Sequence, residues 1–219
     1  ICVQPHLRNI PYNYDSFEPI ARVSMSPVVL IAAKNLPFKD VNAFIKDAKA
    51  NPNKYSYASV GAGTIPHIAM VAFCNATGMK MKHLPFRNGG EVMKALLGNQ
   101  VDVCAELPHL SKRYDLDVLT VFDDNRYPEL PKVPTTKEIG IDFAYTLWMG
   151  YFAPKNTPSD RVELFRNALA ASLEDPQVLA KLKQQHVDLA HLAGEQFSEF
   201  VKDSYIMNEK ILKASGLKK

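Results

Sequence analysis

Apolar residues in the first half of this chain alternate between short continuous runs and helical spacing. Residues 28–33 form a short apolar run that predicts a buried strand, and apolar positions then recur every three or four residues from Phe38 to Ala48. The same two patterns return further along. They predict strands over 55–60, 81–86, 101–105 and 116–122, and helices over 64–77 and 90–97. Gly78 and Gly98 end these two helices.

Strands and helices in strict alternation predict a parallel α/β sheet with right-handed crossovers. The pattern changes after residue 122, where prolines follow closely in a turn-rich segment that suits a crossing between two lobes. A strand containing the only tryptophan is predicted over 145–153, and helices over 159–174, 176–185 and 194–215. The last helix has a broad apolar face that needs a partner surface.

Composition and charge narrow the class of protein. The chain has 219 residues, 47% of them hydrophobic and 22% charged, with 26 basic and 23 acidic residues and a net charge of +3. This composition is typical of globular proteins. The basic residues are scattered and form no stripe with interleaved aromatics, so we expect no nucleic-acid partner. We also expect no membrane span, because no apolar run approaches about 20 residues.

Residues for catalysis and metal binding are not found in recognisable patterns. The histidines and the three cysteines lack zinc-type spacing, and no Gly-x-Ser-x-Gly nucleophile elbow is present. Cys74 and Cys104 lie within apolar runs and are interpreted as small core residues. We therefore expect no catalytic residues, no metal and no cofactor.

The stretch YASVGAGTIPH at residues 57–67 is the strongest candidate for a binding site. It predicts a strand, a glycine turn and the start of a helix. A helix start leaves about four N–H groups without intrahelical partners and carries roughly half a positive charge, so it attracts carboxylate or phosphate. Ser59 and Thr64 add hydroxyls beside these amides, and Thr64 is also a candidate helix cap.

Two nucleotide-binding motifs resemble this turn and are excluded. A dinucleotide fingerprint needs a third glycine where the chain has Pro66, and a Walker loop needs a lysine that does not follow Gly63. An ordinary strand-to-helix connection remains the alternative, in which Gly61 and Gly63 only permit a tight turn. His67 lies one helical turn after Thr64. Its ring could donate to a bound oxyanion or be hydrogen-bonded within the fold.

Two further loops are expected near the glycine turn. In parallel sheets ligands bind beyond the carboxyl ends of the strands, which places the loop 87–91 and the segment beginning at Glu106 at the same edge. Arg87 could pair with a ligand carboxylate in a bidentate manner or remain solvated. His83 lies inside a predicted strand, where a structural role is favoured.

Several motifs together resemble the Bug family, the periplasmic substrate-binding proteins of tripartite tricarboxylate transporters. The matching segments are spread in order over the whole chain. They are DSFEPIARV at 15–23, AKANP at 48–52, YASVGAGT at 57–64 with His67, PFRNGGE at 85–91, LLGNQVDV at 96–103, LPKVPT at 130–135, WMGYFAP at 148–154 with Thr157 and Pro158, and KASG at 213–216.

The resemblance implies an α/β, type II periplasmic-binding-protein-like fold, with two lobes of mixed sheets flanked by helices, that closes over a small organic acid without catalysis. Residues 23–122 would form a complete second lobe, and 1–22 with 123–219 the remainder of a partial first lobe. The ligand-binding residues expected from the turn, the neighbouring loops and the resemblance are Ser59, Gly61, Ala62, Gly63, Thr64, His67, Arg87 and Glu106.

The resemblance also has two departures. Roughly a hundred residues of the family's first part, with its other glycine-rich ligand loop, have no counterpart here, and the segment 107–122 is shorter than usual. Exposed apolar surface is therefore expected on the partial lobe, which favours a homodimer. The expected partners are a small organic acid and membrane transporter subunits in the periplasm. A ligand-sensing effector or signalling domain on the same fold is the alternative function, and an enzyme acting on an anionic substrate is the weakest one.

Overall fold

The structure of the protein, a computed structural model, describes residues 1–217. Eight helices and eight strands are found in this range. In chain order they are α1 (Gln4–Leu7), β1 (Phe17–Pro27), β2 (Val29–Ala32), α2 (Val41–Ala50), β3 (Ser56–Ser59), α3 (Ile65–Thr77), β4 (Lys82–Pro85), α4 (Gly89–Leu97), β5 (Val103–Glu106), α5 (Pro108–Tyr114), β6 (Asp117–Val121), β7 (Thr146–Pro154), α6 (Ser159–Ser172), α7 (Pro176–Gln184), β8 (Leu189–Ala193) and α8 (Gly194–Ala214). A short 3-10 helix, Tyr14–Ser16, precedes β1.

The chain divides into two compact units. One consists of Ile1–Ser26 and Trp148–Lys219, and the other of Pro27–Leu147. We refer to them as the terminal unit and the central unit. The chain passes between them twice, near the end of β1 and near the start of β7. No helix within residues 1–217 is long and apolar enough to cross a membrane.

The central unit is built on a five-stranded mixed sheet with the order β4-β3-β5-β2-β6. Strand β3 runs parallel to β4 and to β5, with Tyr57 opposite His83 and Ala58 opposite Cys104. Strand β2 runs antiparallel to both β5 and β6. The predicted mixed α/β fold is therefore confirmed.

The prediction of a fully parallel sheet is wrong for β2, which runs opposite to its two neighbours β5 and β6. Alternation of strand and helix determines the order of elements, but it does not determine the direction in which each strand enters the sheet. Because β2 runs opposite to β3, the connection that contains α2 leaves and re-enters the sheet at the same end, and the segments 33–40 and 51–55 on either side of α2 allow this return. The pattern of apolar residues therefore does not predict the direction of β2.

Helix α3 covers one face of the central sheet and α4 the other. Ala58 and Cys104 lie in an apolar cluster with Val92 and Leu96 of α4. On the opposite face, Tyr57 lies against His67 of α3. Burial of these apolar side chains is the main force that fixes both helices, and hence their first turns, relative to the strands.

Residues 123–147 pack with the central unit. The N–H group of Thr136 donates to Val121 O at 2.9 Å and that of Tyr145 to Phe122 O at 2.9 Å. The ring of Phe122 lies 5.1 Å from that of Phe143. The boundaries between the units along the chain fall at 26/27 and 147/148. The boundaries between the lobes expected from the sequence fall at 22/23 and 122/123. The lobe assignment itself stays a prediction.

The terminal unit contains a three-stranded sheet with the order β7-β1-β8, in which β1 and β8 are antiparallel. Phe197 and Val201 of α8 are buried with Cys2, and Trp148 and Phe152 of β7 pack against them. The Arg22 guanidinium lies 4.5 Å from the Phe200 ring, and its Nε donates to Ala190 O at 2.9 Å. These contacts join α8 to β1, β7 and β8.

Large apolar side chains are exposed on the same unit. Met149 and Tyr151 of β7 are 55% and 50% exposed, and Leu164 and Phe165 of α6 are 62% and 44% exposed. Apolar surface of this kind was expected for a partial lobe. The homodimer that the sequence indicated stays a prediction.

At Gly150, strand β7 packs tightly against α8 and β1. A Cβ atom at this position would lie 2.7 Å from Phe197 Cζ and 2.9 Å from Ala21 O. A Gly150→Ala variant should therefore lose about 1–3 kcal/mol of unfolding free energy, because overpacking displaces the α8 side chain or the β1 backbone. Urea unfolding followed by tryptophan fluorescence measures this, since Trp148 lies in the same cluster.

Gly89 provides the control for this variant. A Cβ there would meet no atom within 4 Å, and the residue begins α4, where alanine is tolerated. Gly89→Ala should leave stability within about 0.5 kcal/mol. Equal losses in the two variants would contradict the packing argument.

Candidate functional site

The candidate ligand-binding loops follow three strands that run in the same direction. Because β3, β4 and β5 are parallel, their carboxyl ends meet at one edge of the central sheet. The segment 60–64 follows β3, the segment 86–88 follows β4, and Glu106 ends β5. The structure thus places all three predicted loops at the same edge, which is where ligands bind in α/β sheets.

The glycine turn between β3 and α3 has a conformation that requires glycine. Gly61 has φ +116° and Gly63 has φ +77°. Residues with a Cβ atom rarely adopt these backbone angles. The backbone therefore bends sharply at both positions before entering α3. Gly63 is buried, whereas Ala62 between them is exposed.

Thr64 occupies the N-cap position of α3 but does not cap it with its side chain. Its Oγ1 instead donates to Gly61 O at 2.7 Å. The predicted N-cap position of Thr64 is therefore confirmed, but its hydroxyl makes no capping bond, because the positive φ at Gly61 and Gly63 brings the Gly61 carbonyl within reach. The hydroxyl ties the turn to the start of the helix and leaves the first-turn amides uncapped.

Two of the glycine-turn amides already have acceptors within the protein. The N–H group of Gly61 donates to Ser59 Oγ at 3.2 Å, and that of Gly63 donates to His67 Nδ1 at 3.2 Å. The Thr64 N–H group makes a long hydrogen bond to Gly61 O, at 3.4 Å. The sequence predicted Gly61 and Gly63 as ligand contacts, but their N–H groups point to internal partners.

The N–H groups that remain at this helix start belong to Ala62, Ile65 and His67. Among the described residues none of the three has a hydrogen-bond acceptor, and Pro66 has no N–H group. The first turn of α3 contains no acidic side chain, so nothing on the helix offsets the partial positive charge at its N-terminus. An oxyanion placed here would satisfy unpaired donors and meet a favourable dipole.

His67 is 5% exposed and neutral at physiological pH. Burial lowers the pKa of His67 to about 4, and the neighbouring His83 ring contributes to the same shift. Its Nδ1 accepts the Gly63 N–H group. The sequence left open whether the ring donates to a bound oxyanion or is bonded within the fold, and the structure shows the second arrangement at Nδ1.

His83 is a site residue that the sequence did not identify. Its Nε2 lies 2.7 Å from Ser59 Oγ, and its ring stacks on Tyr57 at 4.9 Å with an interplanar angle of 18°. The rings of His67 and His83 are 4.3 Å apart. The available signal was the period of two in β3, which puts Tyr57 and Ser59 on one face, but recognising His83 also required the register of β4.

Arg87 and Glu106 share the edge with the turn but differ in environment. Arg87 is exposed, and its backbone N–H donates to Glu91 Oε2 at 3.1 Å. Glu106 is half-buried at the end of β5. Its pKa is raised, because the effect of burial is larger than the opposing effect of the hydrogen bond from the Leu107 N–H group. Both stay predicted ligand contacts, with Glu106 able to donate a hydrogen bond when protonated.

The structure offers no arrangement for metal binding or thiol chemistry within residues 1–217. No group of three or more His, Cys, Asp or Glu side chains there could hold a metal ion. Burial raises the pKa of Cys2 to about 11 and that of Cys74 to about 12. Both thiols are therefore protonated and poor nucleophiles.

The α/β fold and the open helix start agree with the class of solute-binding receptors. The sequence model described as "Tripartite tricarboxylate transporter family receptor", TctC, matches residues 1–217, and the chain belongs to this family. Its members are binding proteins and not enzymes. The resemblance to the Bug proteins drawn from the sequence motifs is confirmed.

Individual relatives agree with this assignment. A UPF0065 protein of Bordetella pertussis strain Tohama I is 27% identical over 98% of this chain and 68% of its own length. The UPF0065 protein from the tcbD-tcbE intergenic region of Pseudomonas sp. strain P51 is 31% identical over 88% of this chain and 60% of its own length. The chain thus spans about two thirds or less of these relatives.

A solved structure shows the same fold. The periplasmic binding protein BugD superposes with a TM-score of 0.83 at 28% identity, covering 98% of this chain and 75% of BugD. The comparison supports the α/β binding-protein fold predicted from the motifs.

Protonation of His67 should destabilise the fold at acidic pH. The folded-state pKa of about 4 lies below the ordinary histidine value of 6.5, so the neutral ring stabilises the protein fully above pH 6.5, and this contribution is lost as pH falls toward 4. The unfolding free energy should fall by up to about 3 kcal/mol across that range. Urea unfolding at pH 7.5, 6.5, 5.5 and 4.5 measures the profile.

A His67→Asn variant serves as the control, because it keeps an acceptor near the Nδ1 position and cannot titrate. Its stability should fall less over the same range, and the remaining fall includes His83, whose pKa is also lowered by burial and which both proteins retain. The carboxylates with lowered pKa values, such as Asp115 and Glu138, lose their contributions at lower pH. Parallel profiles for wild type and variant would show that His67 does not carry the effect.

Proposed function

We propose that this chain binds a small organic acid at the start of α3 and forms part of a periplasmic receptor that delivers it to a tripartite tricarboxylate-type transporter. One observation carries the proposal. The N–H groups of Ala62, Ile65 and His67 lack acceptors among the described residues at the N-terminus of a 13-residue helix. A carboxylate matches such donors in charge and geometry.

The chemistry of the edge favours binding without reaction. Ser59 Oγ and His83 Nε2 are paired there at 2.7 Å, but Ser59 is 1% exposed and its hydroxyl accepts the Gly61 N–H group, so the pair supports the turn and does not face a ligand. His67 likewise engages the turn, through Nδ1. The backbone donors without acceptors hold an oxyanion but transfer no proton at neutral pH. Membership of a receptor family agrees with this interpretation.

Specificity must come from groups beyond the amides, because backbone N–H groups recognise a carboxylate without contacting the rest of the molecule. On the central unit, Arg87 and Glu106 are the charged side chains on the loops at the same edge. Arg87 would favour a second carboxylate, whereas Glu106 would favour a hydroxyl or ammonium group on the ligand. We propose both as contacts that select among organic acids.

Binding is tested first with a panel of acids. Thermal unfolding is followed with acetate, succinate, malate, adipate, citrate, aspartate and glutamate, and with phosphate as a non-carboxylate anion. A ligand that binds only the folded state raises the melting temperature, and the increase grows with the logarithm of its concentration above the dissociation constant. We expect at least one carboxylate to stabilise the chain more than phosphate does, and calorimetry then gives its affinity.

The Thr64→Val variant tests the position of this site. It removes the hydroxyl that donates to Gly61 O and keeps the side-chain shape, so the turn loses one anchor beside the free amides. Affinity for the best carboxylate should fall roughly 3- to 10-fold, the worth of one hydrogen bond. Isothermal titration calorimetry measures the change.

Thr157 is a matched control in the terminal unit. Its Oγ1 donates to Pro154 O at 2.7 Å, the same bond length and the same spacing of three residues as in the turn. Thr157→Val should leave the affinity unchanged. A carboxylate that binds wild type and Thr64→Val equally would place the site elsewhere.

A further inference from the structure

Two histidines support the glycine turn, each through one ring nitrogen. His67 Nδ1 receives the Gly63 N–H group, and His83 Nε2 lies 2.7 Å from Ser59 Oγ, which in turn receives the Gly61 N–H group. Each glycine amide is thus linked to one imidazole, directly or through Ser59.

The glycines need this support because they have no side chains of their own. Gly61 and Gly63 adopt positive φ values, and glycine has the largest choice of alternative backbone conformations. Without fixed acceptors the two peptide planes could rotate, and the direction of the Ala62 N–H group between them would not be defined. The imidazoles therefore set which amides point inward and which remain available.

The imidazoles are themselves held rigidly. Tyr57 and His67 are each 5% exposed and Ser59 is 1% exposed. The Tyr57 ring stacks on His83 and lies 6.2 Å from His67. Buried aromatic contacts of this kind restrict ring rotation. The side chains can act as a rigid support.

We propose that His67 and His83 are positioning residues that hold the glycine turn in its anion-binding conformation before a ligand arrives. The proposal rests on the function proposed above for its ligand, but the state of the turn can be measured without one. Preorganisation of this kind improves affinity because less ordering is needed on binding.

The role of His67 requires a neutral ring. An acceptor at Nδ1 becomes a donor when the imidazole is protonated, so it would then face the Gly63 N–H group with a second N–H. The other titratable groups against these rings are Tyr57 of β3 and Cys74 of α3, which interacts electrostatically with Tyr57. Burial raises the pKa of each to about 12, so neither titrates near the pH at which histidines do.

The first test measures amide hydrogen exchange in the ligand-free protein by NMR. In His67→Phe the Gly63 amide should exchange at least tenfold faster, and in His83→Phe the Gly61 amide should do so. The Gly78 amide, which donates to Asn75 O at the other end of α3, should not change. This internal reference separates local loosening of the turn from unfolding of the whole unit.

Conservative variants provide the rescue. The oxygen of asparagine can replace the Nδ1 acceptor, and the amide of glutamine can replace the Nε2 group. Exchange in His67→Asn and His83→Gln should therefore stay within about threefold of wild type. A role in packing alone would give the opposite order, since phenylalanine preserves ring stacking better than either amide.

The pH profile is the second arm. As pH falls from 6.5 to 4.5, exchange of Gly63 relative to Gly78 should rise in wild type and stay level in His67→Asn. Glu106 at the same edge has a raised pKa and His83, 4.3 Å from the His67 ring, has a lowered one. Both proteins retain these two groups, so the difference between them reports His67. Level ratios in both proteins would overturn the proposed role of His67.

The third arm uses succinate as the probe at pH 7.5. If wild type binds it, His67→Phe and His83→Phe should bind at least tenfold more weakly and the two conservative variants within about threefold. Equal affinities in all five proteins would overturn the positioning role. If succinate and the other carboxylates fail to bind wild type while the exchange arm gives the expected changes, the proposed function fails and the support of the turn by the imidazoles stands.

Discussion

The hydrogen bond from the Gly63 N–H group to His67 Nδ1 is the interaction on which the candidate site depends. It joins the turn to the helix that the turn begins, and it occurs between two buried residues. A buried N–H group without an acceptor is costly, so this bond strongly favours the observed turn over alternatives. This bond and the one from the Gly61 N–H group to Ser59 Oγ occupy two amides of the turn. The N–H groups of Ala62, Ile65 and His67 have no acceptor among the described residues.

This division of the amides is the basis of the anion binding that we propose for the site. The occupied amides cannot rotate toward a ligand without breaking internal bonds, and the free ones belong to Ala62 and the first turn of α3. The parallel arrangement of β3, β4 and β5 then adds the loops with Arg87 and Glu106 at the same edge. The sheet therefore brings together segments that are distant in the sequence.

The strands and helices with clear periodicity were predictable, and those with buried polar residues were not. Helix α3 runs from Ile65 to Thr77 and ends at Gly78 in a left-handed conformation, as its apolar spacing and terminal glycine indicate. Strand β1 was missed because Arg22, Ser24 and Ser26 are buried and hide the alternation. The direction of β2 was also missed, since it depends on loop geometry.

The site was predictable in position but not in its hydrogen bonds. The sequence predicts a glycine turn before a helix. It therefore also predicts N–H groups without intrahelical acceptors at the start of that helix. The pairing of Ser59 with His83 depends on the register of β3 against β4, which no local pattern encodes. The use of Thr64 Oγ1 on Gly61 O depends likewise on positive φ angles that follow only from the folded turn.

A titration of the ¹⁵N-labelled protein with a binding carboxylate, followed by amide chemical shifts, tests the central claim most directly. The account predicts saturable downfield shifts at the amides of Ala62, Ile65 and His67, with smaller changes at Gly61 and Gly63, whose N–H groups keep their internal acceptors. Saturable binding that moves other amides and leaves Ala62, Ile65 and His67 unchanged would contradict it.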